Sequence, residues 1–269
     1  MSQAAATVPI APRLRVALIV GLAALAVVVV ALLPPIAQDP AYHRFADARH
    51  LFGIPNGANV LSNLGFVVVG LAGAAWLRRH RGISRDGPFT EGWEIGAAAV
   101  FTLGVGLTGV GSAYYHAAPD NARLVWDRLP MTLMFMSLFA LVLGDRVAPA
   151  VGRWLLGPLV AVGVASVGVW HATEAAGRGD LRLYALVQFL PTILIPVLLV
   201  CCPGRVTGSG WLWAALGMNA IGKVFELADH GVFAIGGVVS GHTIKHLTTA
   251  AATALVLRML AIRRVRRTS

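Results

Sequence analysis

The chain has 269 residues, of which 57% are hydrophobic and 13% charged, against roughly 25% charged in soluble domains. With a mean hydropathy of +0.73, that composition excludes a disordered chain, a water-soluble enzyme and a disulfide-stapled secreted domain, since the two cysteines are the neighbours Cys201 and Cys202. The formal charge of +10 raises nucleic acid as a partner. In an apolar chain, however, cations first report topology.

Eight windows come close to the roughly 20 apolar residues that span a bilayer core. They run from Leu14 to Leu33, Gly57 to Leu77, Trp93 to Tyr115, Leu124 to Leu143, Trp154 to His171, Leu181 to Val200, Trp211 to Asp229 and His242 to Leu260. The first follows Arg13 and Arg15. It is longer than a signal-peptide core of about 7 to 15 residues and lacks a clear Ala-x-Ala site, so it reads as an anchor.

With the N-terminus inside, eight spans place fourteen arginines on the cytoplasmic side, from Arg13 and Arg15 to Arg266 and Arg267. The opposite side holds six: Arg44, Arg49, Arg123, Arg128, Arg178 and Arg182. This bias follows the positive-inside rule and puts both termini in the cytoplasm. The basic tail then serves orientation and anionic lipid, and no nucleic-acid partner is expected. The cysteine pair falls at the cytoplasmic end of span six and reads as free thiols.

Most polar residues within the spans cluster toward the outer leaflet. Asn59, Ser62 and Asn63 open span two; Ser112, Tyr115 and His116 close span three; Asp127 opens span four. His171 and Glu174 close span five, Tyr184 and Gln188 open span six, Glu226, Asp229 and His230 close span seven, and His242, Lys245 and His246 open span eight. Ionisable groups are costly in hydrocarbon, so such a layer faces the bundle interior or a wet cavity. His171, Glu174 and His230 also read as helix-end groups at the headgroups.

In GHTIKH, His242 and His246 share one helix face at i, i+4. Alone the pair reads equally as packing. GSAYYH repeats the spacing with Ser112 and His116, and three imidazoles plus a water make an open tetrahedral zinc site. Zinc lowers the pKa of its water to about 7 and polarises a carbonyl, as amide hydrolysis requires. Asp127 returns to the same layer as a proton acceptor for that water, or else caps a helix before Pro130. Ser112 donates to a developing oxyanion or holds the water, or else bonds the carbonyl four residues back. Asn59 and Asn63 favour interhelical hydrogen bonds. Lys245 points away from the line of the histidines, toward the headgroups. Glu226 and Asp229 serve as outer-shell acceptors or as counterions for Lys223, and the sequence does not choose between these.

At these residues the chain resembles the CREST superfamily, which comprises the alkaline ceramidases, the progestin and adipoQ receptors and their relatives. The likeness is greatest to the alkaline ceramidase branch in its bacterial form. It is carried by NVLSN at 59–63, GSAYYH at 111–116, WDRLPM at 126–131 and GHTIKH at 241–246, in family order and across roughly residues 47–262. The resemblance implies an all-α integral membrane protein with a seven-helix hydrolase domain at 47–262; the N-terminal span within 1–46 is extra to the family, and a basic tail follows at 263–269. It implies zinc on His116, His242 and His246, with Ser112 and Asp127 as catalytic groups and Asn63, Tyr115, Glu226 and Lys245 in the surrounding shell or against substrate.

The implied reaction is cleavage of the amide of ceramide or a similar N-acyl lipid to a fatty acid and a sphingoid base or other amine, in a bacterial inner membrane with the site on the periplasmic side. The alternative is a lipid-binding receptor or sensor with little turnover. Haem ligation and transport fit less well, because three histidines with Asp and Ser suit zinc and no internal repeat is visible. Calcium is not expected, since DARHLFGIPNGAN offers one carboxylate, Asp47, with Asn56 and Asn59.

Overall fold

A computed structural model describes residues 11–266. Arg267 and the end of the basic tail at 263–269, together with the start of the 1–46 segment, lie outside the described residues. The described residues form ten α-helices in order: α1 Pro12–Leu32, α2 Gly57–Leu61, α3 Leu64–Arg79, α4 Gly92–Ala117, α5 Asn121–Arg146, α6 Pro149–Ala175, α7 Arg182–Cys201, α8 Ser209–Leu227, α9 Asp229–Gly236 and α10 Gly241–Ile262. A short 3-10 turn, Pro40–His43, joins α1 to the rest.

Local chemistry sets the helix starts. Pro12 and Pro149 stand in the first turns of α1 and α6, where a missing N–H costs nothing. A reciprocal capping box between Glu91 and Glu94 starts α4. The Asp120 carboxylate accepts from Arg123 N at 2.7 Å to start α5. Asp127 therefore sits two turns inside α5, and Asp120 performs the capping role. The Ser240 hydroxyl accepts from Thr243 N at 3.1 Å and fixes where α10 begins, which sets His242 and His246 on its first turns.

Among the described residues, six helical segments are long and apolar enough to cross a membrane: α1, the continuous pair α2 and α3, α4, α5, α6 and α7. That is two fewer than the eight apolar windows. The difference lies in α8 and α10, whose Asn219, Lys223, Glu226, His242, Lys245 and His246 dilute otherwise apolar helices. The chain between them is also not a simple loop, for α9 inserts a two-turn helix at Asp229–Gly236.

Helices α4 and α5 form the centre, and α5 is the most enclosed, with 72% of its apolar window buried against 6% for α1. Small residues allow the close approaches. A Cβ on Gly70 of α3 would lie 2.5 Å from Gly106 Cα of α4, and one on Gly111 of α4 would lie 1.9 Å from the Trp126 carbonyl oxygen of α5. The second contact holds Ser112 and Asp127 side by side. Leu14, Val20, Leu25 and Val28 of α1 are exposed, as befits a helix whose solvent is lipid.

Candidate metal centre

Helix α4 delivers His116 from its last turn and α10 delivers His242 and His246 from its first two, so the three imidazoles meet at one end of the bundle. All three are buried. Their ring centroids form a nearly equilateral triangle with sides of 4.8, 4.7 and 4.7 Å, and one nitrogen from each lies within 4.8 Å of the others. His116 Nε2 and His242 Nε2 are 3.3 Å apart. Tetrahedral zinc at a Zn–N distance of about 2.0–2.1 Å requires an N···N edge of about 3.3–3.4 Å.

Hydrogen bonding fixes the third ring. Ser62 Oγ donates to Asn59 O at 3.0 Å, so at 2.8 Å it accepts from His246 Nδ1–H. That tautomer leaves His246 Nε2 bare, and this buried atom has no hydrogen-bond partner among the described residues. A bare, inward nitrogen oriented by a hydrogen bond on the far side of its ring is how metal-binding imidazoles are held. The residues present thus fit a divalent metal with three nitrogen ligands. Phe45 roofs the cluster, its ring centroid 4.5 Å from His116 and 4.6 Å from His242.

Ser112 and Asp127 are buried neighbours across the α4/α5 contact, with their side chains close enough to interact. Both line a cavity of about 580 Å³ that also touches His246 and extends between α5, α7, α8 and α10. Its polar end holds Tyr42, Arg128, Tyr184, Lys223, Glu226 and Lys245; farther along, the wall turns apolar with Met131, Met134, Phe135, Phe189 and Leu216.

The polar shell sorts out the groups the sequence left open. Glu226 is the counterion: it pairs with Lys223 on its own helix and with Lys245 Nζ of α10 at 3.1 Å. Lys245 therefore turns into the cavity wall to meet a carboxylate instead of reaching for headgroups. Asp229 has a different role, accepting from His242 N at 2.7 Å and from Ala46 N at 2.9 Å. Asn59 makes the interhelical bond, accepting from Thr243 Oγ1 at 2.9 Å. The Asn63 amide donates to Asn59 O at 2.8 Å and passes 3.5 Å from His246 Nδ1. Tyr115 OH pairs with His43 Nδ1 at 2.9 Å, and its ring contacts Phe45. His171 and His230 are exposed, while Glu174 accepts from Gln38 N at 2.5 Å.

The side chains of Asp47, Asn56 and Asn59 bond in different directions, Asn59 Nδ2 donating to the Asp47 carbonyl at 3.4 Å. Asp47 forms a two-pronged pair with Arg49 at 2.8 and 2.7 Å, which holds its carboxyl below the usual carboxylate range. Asn56 Nδ2 donates to His116 O at 2.9 Å.

Sequence reasoning missed two features. Arg128 is buried in a box of aromatic rings, 4.3 Å from the Trp170 centroid, 4.7 Å from Tyr184 and 5.5 Å from Tyr42, with Nη2 donating to Gln38 Oε1 at 2.6 Å. Phe45 and His43 approach from the segment before α2. Neither has a local motif, since both depend on contacts between residues far apart in the chain.

No protein-family model matches the chain, and no curated protein is significantly similar to it. The class assigned by fold and site is therefore an all-helical, membrane-compatible protein with a buried three-histidine cluster suited to a metal ion.

Proposed function

We propose that this protein is a zinc-dependent membrane hydrolase of the alkaline ceramidase type, cleaving the amide of ceramide or another N-acyl lipid. One juxtaposition carries the reading: the three-histidine cluster abuts a large, mostly apolar cavity whose wall brings Ser112, Asp127 and His246 together. Metal chemistry beside a lipid-sized space suits a substrate with a polar amide and long acyl chains.

Zinc held by His116, His242 and His246 would supply a Lewis acid and an acidified water. The chain's own residues do the rest. The Ser112 hydroxyl donates to the Asp127 carboxylate and orients it. The free carboxylate oxygen accepts the proton lost by the attacking water as its oxygen bonds to the amide carbon. When the C–N bond breaks, the same proton passes to the departing nitrogen. One water is consumed, and a fatty acid and a free amine leave.

Access from the bilayer is supported by Phe189 of α7 and by Val224 and Leu227 of α8, which line the cavity and are exposed on the bundle's flank. We assign α8 and α10 as two further spans, giving eight. Their polar residues face the cavity or one another, where they cost less than in lipid. The arginine bias supports an orientation with the histidines on the non-cytoplasmic side, which in a bacterial inner membrane is the periplasm.

The test is elemental mass spectrometry of the purified protein beside its His242→Ala, His246→Ala variant, followed by chromatographic detection of fatty acid released from ceramides and other N-acyl lipids. We expect close to one zinc per chain, lost in the variant together with turnover. Turnover without bound metal would overturn the mechanism, and tight lipid binding with no product would favour the receptor alternative.

A further inference from the structure

A second cavity, of about 230 Å³, lies at the end of the bundle opposite the histidines. Its walls are of two kinds. Val16 and Ile19 of α1 and Val147 beyond α5 make an apolar floor, while Arg15, Arg146 and Arg205 make a cationic rim with Asp145 as the single carboxylate.

The carboxylate is fully committed. Asp145 Oδ2 lies 2.8 Å from Arg146 Nε, and Oδ1 accepts from Val206 N at 2.9 Å. Arg146 donates in turn from Nη1 to Cys202 O at 2.9 Å and from Nη2 to Ser209 Oγ at 2.5 Å, while its Nε pairs with Asp145 in charge without making a hydrogen bond. Arg15 and Arg205 are left over. Neither has a carboxylate partner among the described residues. The buried Arg15 Nε has no hydrogen-bond partner there, and Arg205 Nη1 reaches only the Gly144 carbonyl, at 3.5 Å. Sheltered guanidinium groups without an anion are costly. Two of them facing one space call for an anion from outside the chain.

We propose that this cavity binds the phosphate of an anionic phospholipid. The rim arginines match a phosphate in charge and donor geometry, and the apolar floor receives the first segment of an acyl chain. The position fits as well, since the rim lies among the arginines at the ends of α3, α5 and α10, the cation-rich face where anionic headgroups concentrate. Free phosphate would use the rim but not the floor. The inference also accounts for α1, which supplies one arginine and most of the floor while its exposed Leu14 and Leu18 face the surrounding lipid. It holds independently of the hydrolase reading.

Native mass spectrometry of the detergent-purified protein, titrated with phosphatidylglycerol and with phosphatidylcholine of the same acyl chains, tests it. Phosphatidylglycerol is expected to bind at least about tenfold more tightly. Removing both unpaired cations, Arg15→Gln with Arg205→Gln, should weaken it roughly thirtyfold, at about fivefold per cation near the surface. Arg15→Lys with Arg205→Lys preserves charge and fold but loses the fork, and should weaken binding several-fold. The matched control, Arg78→Gln with Arg79→Gln at the exposed end of α3, should leave it unchanged. Equal binding of the two lipids, an equal loss in the control, unaltered affinity in both pocket variants, or displacement of the lipid by millimolar inorganic phosphate would each overturn the proposal.

Discussion

Ser62→Ala tests whether the histidines form a metal centre or a packed cluster. The wild-type hydroxyl stands between two groups, donating to Asn59 O at 3.0 Å and accepting from His246 Nδ1 at 2.8 Å. Alanine removes the acceptor and leaves a buried imidazole N–H unpaired, at a cost of about 1–3 kcal/mol. The ring can recover by moving its proton to Nε2, which removes the lone pair needed for metal, or by rotating out of the triangle. Both routes weaken binding. At about 1.4 kcal/mol per tenfold, the expected loss in zinc affinity is roughly 10- to 100-fold, the range seen when a hydrogen-bond partner of a metal-bound histidine is removed. Competition with a chromogenic chelator in detergent measures this directly, and thermal unfolding of the metal-free protein separates it from general destabilisation. Unchanged zinc affinity alongside a lowered Tm would mean that Ser62 only packs, and the orientation argument would fail.

Asp127→Asn should keep zinc but lower kcat by about 10²- to 10⁴-fold, the usual worth of a positioned general base; loss of zinc instead would make Asp127 part of the metal's own environment. Gly111→Ala should destabilise by at least about 1–3 kcal/mol, because its Cβ would meet the Trp126 carbonyl oxygen at 1.9 Å, and a wild-type Tm in detergent would contradict the α4/α5 contact. For the segment at 44–56, the sign follows from Arg49 holding the Asp47 carboxyl low. A depressed folded pKa contributes stability above the unfolded value of about 3.9 and loses it as pH falls through the folded value. Proteolysis of this segment should therefore accelerate only under acid conditions below that range, and Asp47→Asn should abolish the pH dependence.

Much of the centre was legible because helical spacing is local information. His242 and His246 share a face by periodicity alone, as do Ser112 and His116, and apolar windows marked most of the helices. The remainder depended on tertiary contacts. Glu226 and Asp229 are three residues apart and chemically alike, yet one ends inside α8 facing Lys245 and the other begins α9 facing two backbone amides; nothing in their local sequence separates them. Asp127 also read as a helix cap until Asp120 proved to hold that position. Arg128 looked like an outer-face cation in a charge count, because only the folded chain assembles Trp170, Tyr184 and Tyr42 around it. The same limit applies to α8 and α10, whose low apolarity reflects partners that sit on other helices.

The three histidines are far apart in order of synthesis. His116 and His242 are separated by 126 positions, and Asp229 ties the start of the last helix back to Ala46, near the beginning of the bundle. A chain inserted into the membrane helix by helix cannot assemble this site until α10 has arrived. Any metal capture by the cluster would thereby be deferred to the final stage of assembly. A copy truncated before α10 would hold only His116 of the three imidazoles and could form no three-nitrogen centre.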